Sequence, residues 1–409
     1  FSVLDYDAQP DGQSLNTAAV QSAIDACAAS GGGTVVLPPG VFVTGTLRLK
    51  ANVRLYLERG AVLKGSADLE DYSANPFHHN EWGDTLSLIW AIDADHVAIE
   101  GAGTIDLNSP AFTDTSRIKT GPTFEPEILE ELSDENLETA CYRMGERPNQ
   151  CLFFHRCDHL RFSGVHIINA PCWAVSVSSS DDIRVHGITI VNDLRVPNSD
   201  GVHLCACRNA VITDSLFHCG DDCVAITGIT NWERACENII VANCHLRSHS
   251  AGVRIGHLES KVRNVQVNNV TITASNRGFC IFAGEGGWVE DVDISNIRID
   301  TRLTPGHWWG NGEPLVICAA EADAAVRRVR VDRLHGAAEN SIVIWGPDGS
   351  LEDIELRHVR LSVRYGPSRP FLGRVLDLQP TAVIPAPDGE SNIPWLRARS
   401  DRHVSSPDC

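Results

Sequence analysis

The sequence contains no run of 18 or more apolar residues, so no membrane-spanning helix is read from it. It also has no excess of basic residues. Its 34 Lys and Arg stand against 53 Asp and Glu, a formal charge of -19. That balance disfavours nucleic acid and anionic lipid as partners, since both need basic patches to neutralise phosphate. Fourteen cysteines in 409 residues are too sparse for a disulfide scaffold. Neither Cys205-Ala-Cys207 nor Cys219 with Cys223 has the paired spacing of a zinc site, so neither a metal nor a cofactor is expected. The opening FSVLDYDAQPDG carries no basic-then-apolar leader, which means a secretion signal was removed or never existed and leaves the compartment open.

What is present is repetition. Segments with an Asn, Asp or His lead-in followed by alternating apolar residues recur as HLRFSGVHIIN at His159, DIRVHGITIVN at Asp182, NAVITDSLFHC at Asn209, NIIVANCHLRS at Asn238, NVQVNNVTITA at Asn264 and DVDISNIRIDT at Asp291. Successive starts lie 23 to 29 residues apart, within the range of solenoid repeats. The period-2 alternation, rich in Val, Ile and Thr, signals strands. A rung of that length cannot bury its apolar face alone, so neighbours stack in parallel around one continuous core. This predicts an all-β chain, a right-handed parallel β-helix. Hairpin signals that would favour a sandwich are few, Asp200-Gly201 and Asp348-Gly349 among them. Strand units at Asn52, His96, Arg328 and Asp353 extend the pattern in both directions.

The stretch LNTAAVQSAIDACAASGGG predicts a helix over about 16–30, with Asn16 as N-cap and Gly31 to Gly33 as the stop, covering the open end of the core. The rungs define a single domain over 1–365. Residues 113–147 break the pattern as a loop excursion, acidic and helical in FEPEILEELSDENLE, and 366–409 read as an irregular tail.

Within the repeats, CGDDCVAITG sets Asp221 beside Asp222, and Asp200 precedes Asp221 by 21 residues, close to one rung. Stacked strands about 4.8 Å apart would crowd three carboxylates into one patch. Such crowding raises pKa values and opposes ionisation, an arrangement suited to acid and base chemistry on a glycosidic bond. Consecutive strand residues point to opposite faces, so Asp221 and Asp222 share a groove only where the backbone leaves strand geometry, which Gly220 eases.

These motifs carry a resemblance. NSDG at Asn198 to Gly201, GDDC at Gly220 to Cys223 and the opening segment from Asp11 to Ser66 resemble glycoside hydrolase family 28, the polygalacturonase and rhamnogalacturonan hydrolase family, over about Phe1 to Tyr365. The resemblance implies inverting hydrolysis with Asp221 as general acid, Asp200 and Asp222 activating water, and Asn198 supporting the water site or a sugar hydroxyl. Spacing alone leaves retention equally open. It also implies a secreted or periplasmic protein that acts on carbohydrate.

Three departures bear on substrate. Where the polygalacturonase Gly-His-Gly motif stands, SAGVRIG places Ala251. Where Arg-Ile-Lys would bind a galacturonate carboxylate, the chain reads Cys280, Ile281, Phe282, and a frequent lysine position is Thr227. An ordinary polygalacturonase is therefore not expected. Candidate replacements are His203, Arg254, His257 and Arg277. Arg254 could hold a sugar by bidentate bonds or simply pair with an acid such as Glu259. Sugar faces stack on flat rings, which nominates Trp173, Trp308 and Trp309, with Glu313 on a hydroxyl. Loops at 113–147 and 303–314 would wall the groove into a pocket and favour attack on chain ends. Two rivals remain. A β-helix lyase needs a metal and a basic cluster, which is not seen around Asp200 and Asp222, and a noncatalytic glycan-binding coil would not need three aspartates.

Overall fold

The computed structural model describes residues 1–118, 141–304, 310–363 and 374–378. Its organisation starts from the corners. The lead-in residue of every repeat adopts the left-handed conformation: Asn52, His96, His159, Asp182, Asn209, Asn238, Asn264, Asp291, Arg328 and Asp353 all have φ between 52 and 62°. Asn and Asp tolerate this region better than other side-chain-bearing residues, which explains the composition of the lead-ins. Stacked asparagines also bond one another, Asn238 Nδ2 donating to Asn209 Oδ1 at 2.9 Å and Asn264 Nδ2 to Asn238 Oδ1 at 2.7 Å. Where the corner is Arg328, its guanidinium instead reaches back to Asp291 Oδ1 at 2.6 Å and Glu290 Oε2 at 2.8 Å. A second corner, through Asp214, Asn243, Asn269, Asn296, Arg333 and His358, is also left-handed.

Between corners the strands stack in parallel, and the chain is a right-handed parallel β-helix. One sheet has ten strands, running from Leu47–Arg48 through Ile89–Ile92, Gln150–His155, Trp173–Ser178, Val202–Cys205, Val224–Thr227, Ala251–Ile255, Arg277–Ala283 and Glu313–Ala319 to Val343–Trp345. A larger sheet folds around the remaining sides. Alternation sends one column inward: Leu152, Val175, Val202, Val224, Val253, Phe279 and Leu315 sit in register on successive rungs, each fully buried.

The predicted helix is Thr17–Ala29, its Val20, Ala23, Ile24 and Cys27 buried against the first rungs. Its cap differs from expectation. Asn16 makes no side-chain cap bond and instead ties down the preceding segment, accepting from Gln9 N and donating to Gln9 O and Ser14 O. The stop is as read, with Gly31 to Gly33 at φ of 98 to 145°. In the excursion, Thr113–Ile118 pairs antiparallel with Tyr142–Met144, while its expected helical part lies outside the described residues. The tail contributes one strand, Arg374–Leu378, antiparallel to Val359–Val363, where only irregular chain was expected. A hairpin not anticipated at all, Ala74–His79 with Gly83–Leu86, projects from an early rung. All thirteen described cysteines are buried, and Cys219 and Cys223 form no disulfide. Among the described residues no helix is long and apolar enough to cross a membrane.

Phe279→Ala empties part of a closed stack and should cost about 3–5 kcal/mol, read as a clear fall in the thermal midpoint. Val191→Ala, on a side chain 38% exposed, should leave the midpoint nearly unchanged.

Candidate active site

The site is built on the outer side of the ten-stranded sheet, where strands begin. Ala174 N donates to Asp200 O, Gly201 N to Asp222 O and Cys223 N to Ala251 O, at 3.0 ± 0.1 Å in each case. Asp200 therefore stacks under Asp222 and Asp222 under Ala251, and Ala251 is in register with Arg277 and then Glu313. Trp173 lies one rung below Asp200. This column requires close backbone approach. A Cβ on Gly201 would stand 2.3 Å from Cys223 O, and one on Gly220 would stand 2.2 Å from Val196 O and 2.6 Å from Ser199 Oγ. Gly220 is thus needed for proximity, its amide donating to Ser199 Oγ at 3.0 Å, and not for a left-handed turn. The strands Leu216–Cys219 and Val224–Thr227 end and begin on either side of it. In that break Asp221 and Asp222 face the same groove.

Carboxylate oxygens of Asp200, Asp221 and Asp222 all lie within 4.8 Å of one another. The three residues are 3%, 8% and 1% exposed. Asp222 is held by Ser250 Oγ at 2.9 Å, Ala251 N at 3.0 Å and Arg254 Nη1 at 3.3 Å. Asp221 Oδ1 accepts from Asp222 N at 2.9 Å. Asp200 Oδ2 lies 3.4 Å from His203 Nδ1, and among the described residues its buried Oδ1 has no hydrogen-bond partner. Burial, then the charge of Asp222, pushes the Asp200 carboxyl well up. Burial, then Asp200 and Asp222, does the same for Asp221. Crowding of three buried carboxyl groups therefore opposes the ionisation of Asp200 and Asp221. The same spacing would admit one divalent cation on geometry alone.

Around this centre the expected residues gather closely. His203 Nε2 bonds Thr227 Oγ1 at 3.0 Å, and its ring lies against Trp173, centroids 3.8 Å apart. Trp173 is 4% exposed, with His79 edge-on and Trp82 beside it, so it packs as a wall that fixes His203. Arg254 pairs with Asp222 and His257. The partner is therefore Asp222 and not the suggested Glu259: the alternation at Val253-Arg254 turns the guanidinium back toward the preceding rung. Arg277 Nε lies 3.6 Å from Glu313 Oε2, both buried. Glu313, expected on a loop, starts a strand and is occupied by Arg277 and by Asn311 N at 2.6 Å. Asn198, left-handed at φ 57°, accepts from Arg147 Nη2 at 3.3 Å. Trp308 and Trp309 lie outside the described residues.

Sequence reasoning passed over the hairpin. From its tip Glu81 Oε1 meets His257 Nε2 at 3.1 Å, and Asn80 bonds Ile229 O. Burial and then Arg254 push His257 down to about 4. Burial would raise Glu81, but the His257 bond and the Arg254 charge outweigh it and bring Glu81 to about 2. The signal that could have found Glu81 is the cluster HHNEWGD, aromatic and titratable residues interrupting the strand pattern.

Fold and site together define a β-helix with a buried, crowded aspartate trio on its groove face. The chain belongs to Glycosyl hydrolases family 28, whose model matches residues 34–362. It is similar to a probable polygalacturonase of Vitis vinifera, 26% identical over 73% of this chain and 60% of that one. It is similar also to an exo-poly-alpha-D-galacturonosidase of Dickeya chrysanthemi, 26% identical over 68% and 51%. The chain thus spans between half and two thirds of the length of these relatives. Its fold matches that of a hyperthermoactive exopolygalacturonase from Thermotoga maritima, with a TM-score of 0.59, 20% identity, and 93% and 94% of the two chains covered.

A carboxyl whose pKa rises on folding opposes stability as pH climbs through the ordinary carboxylate range, because the folded state resists losing that proton. Asp221→Asn should therefore raise the thermal midpoint at pH 7, and the gain should shrink below pH of about 4. Thermal scans at both pH values check this, and an equal gain at both would contradict the raised pKa of Asp221.

Proposed function

We propose that the chain is an inverting glycoside hydrolase that acts from chain ends on a pectin-like or related plant or algal glycan, and that it is not an ordinary polygalacturonase. The observation that carries this reading is the trio of buried carboxyl groups, with oxygens within 4.8 Å of one another. Asp221, held protonated, gives its proton to the leaving oxygen. Asp222 is engaged by three donors, which blunts it as a nucleophile, while Asp200 Oδ1, without a partner among the described residues, can receive a water. Two carboxylates directed at a water, instead of one directed at carbon, favour inversion over retention, an outcome on which a separation within 4.8 Å is silent. Asn198 orients the same water or a neighbouring hydroxyl, and His203 steadies Asp200.

The hairpin supports action at chain ends. Its tip crosses the groove to Ile229 and His257, closing one side with Glu81 and Asn80. The relative from Dickeya chrysanthemi, an exo-poly-alpha-D-galacturonosidase, agrees with such a wall. Against galacturonan itself stand Ala251, Cys280, Phe282 and Thr227, none of which can pair with a uronate carboxylate. A secreted or periplasmic site of action follows from a polymeric carbohydrate substrate.

Purified protein incubated with a panel of pectic and other plant or algal oligosaccharides should release single units or short products from chain ends, identified by mass. Proton NMR in the first minutes should show product of inverted anomeric configuration, and initial retention would overturn the assignment of Asp200 and Asp222. Asp221→Asn should reduce turnover by roughly 10²–10⁴-fold, and unchanged turnover would remove it as the acid. Chelation should leave hydrolysis unaffected, whereas loss of activity together with an unsaturated, ultraviolet-absorbing product would identify a lyase.

A further inference from the structure

Asp222 is held unevenly. Its Oδ1 accepts from Ser250 Oγ and Ala251 N, at 2.9 and 3.0 Å, whereas among the described residues its Oδ2 has one partner, Arg254 Nη1 at 3.3 Å. The orientation of Oδ2 therefore depends on one long side chain with many rotamers. The rungs on either side do little to fix that chain. In its outward column Arg254 stands between Ala225, which has no polar side-chain atom, and Cys280, whose sulfur accepts from Arg277 Nη1 at 3.5 Å. What fixes Arg254 is His257.

Arg254 Nη2 bonds His257 Nδ1. A guanidinium has only donors, so this Nδ1 is bare and accepting. Burial and then Arg254 hold His257 down to about 4, which leaves one ring proton at neutral pH. That proton sits on Nε2 and is donated to Glu81 Oε1 at 3.1 Å. The other tautomer would set a proton against the guanidinium and a bare nitrogen against the carboxylate. The side chains of Arg254, His257 and Glu81 are 26%, 20% and 22% exposed, so an isolated pair here would be weak and the series of contacts holds each member.

The hairpin is built to deliver Glu81 to this point. His79, fully buried at the end of its first strand and held down to about 4 by that burial, accepts from both tip amides, Glu81 N at 3.1 Å and Trp82 N at 3.3 Å. Asn80 anchors the tip to Ile229 O.

We propose that Glu81 is a positioning residue for Asp222: it keeps the His257 proton on Nε2, the bare Nδ1 holds Arg254, and Arg254 aims Asp222 Oδ2. The proposal rests on the hydrolase reading for what Asp222 does, and its first test needs no substrate.

Nitrogen NMR of the full-length protein, labelled at histidine and arginine, should show His257 as the Nε2–H tautomer and distinct Nη1 and Nη2 signals for Arg254. Glu81→Ala should mix the tautomers and merge the Nη signals, and Glu81→Gln, whose Oε1 still accepts, should restore both. A wild-type Nδ1–H tautomer, or signals that Glu81→Ala leaves unmoved, overturns the proposal. With the pectic oligosaccharide that the wild type cleaves fastest, Glu81→Ala should lower kcat about tenfold or more with KM within about threefold, and Glu81→Gln should recover most of the loss. A change confined to KM makes Glu81 a part of the groove wall alone and overturns the positioning role. Arg254→Lys keeps the charge but cannot bridge Asp222 and His257, so it should lower kcat similarly, and adding Glu81→Ala should lower it no further. Losses that multiply overturn the proposal. If Glu81→Ala does not fold, His257→Gln and His257→Ala decide: Gln can accept from Arg254 and donate to Glu81, so its kcat should exceed that of Ala about tenfold, and equal losses overturn the proposal. If no glycan is cleaved while the NMR results hold, the hydrolase reading falls and the series from Glu81 to Asp222 stands. If cleavage proceeds and Glu81→Ala leaves kcat unchanged, the series falls and the hydrolase reading stands.

Discussion

A rung of this solenoid can bury nothing by itself, so everything depends on each coil turning its corners at the same place as the coil below. The left-handed residue at each corner meets that constraint. Asn, Asp and Gly adopt it at little cost, and once the corners align, strand follows strand in register and the inward Val, Ile and Phe columns close without gaps. The asparagine ladders add bonds between neighbours, but the alignment comes first. Even Arg328 and Arg333, poor choices for a left-handed corner, are held there by carboxylates or an asparagine one rung below.

The same stacking brings the acids together. Asp200 and Asp222 lie one above the other because the strands after them are paired, and Asp221 joins them only because the strand breaks at Gly220. The fold therefore imposes the electrostatic conflict that the chemistry needs. Carboxylates spaced by a β-ladder cannot separate, the sheet keeps them from water, and raised pKa values for Asp200 and Asp221 are the outcome. Ser250, Ala251 and Arg254, all from the next rung, hold Asp222 in place.

What could be read from the residues follows from these causes. Corner residues announce themselves through Asn and Asp lead-ins, and alternation announces the strands, so the architecture and the neighbourhood of Asp200 to Asp222 were legible. Roles that depend on where a side chain turns were not. Arg254 looked as able to meet Glu259 as Asp222, since alternation gives a face but not a direction along the stack. Asn16 had the residue type of a cap, yet its amide was claimed by Gln9 and Ser14. Glu313 sat near an irregular loop in sequence but begins a strand one rung above Arg277. The hairpin holding Glu81 was hidden for another reason: its partner His257 lies 176 residues away, and no local pattern connects the two.

That last contact has a consequence for how the molecule holds itself together. A solenoid is quasi-one-dimensional, each rung sensing only its neighbours, so its ends can fray while its middle stays folded. The Glu81 to His257 contact breaks that rule by clamping an early rung to a late one across the groove. Every coil between them lies inside the clamp, and the aspartates sit within the enclosed span. Loss of any of those coils would open the clamp as well, which couples the stretch that carries the chemistry more tightly than neighbour stacking alone would.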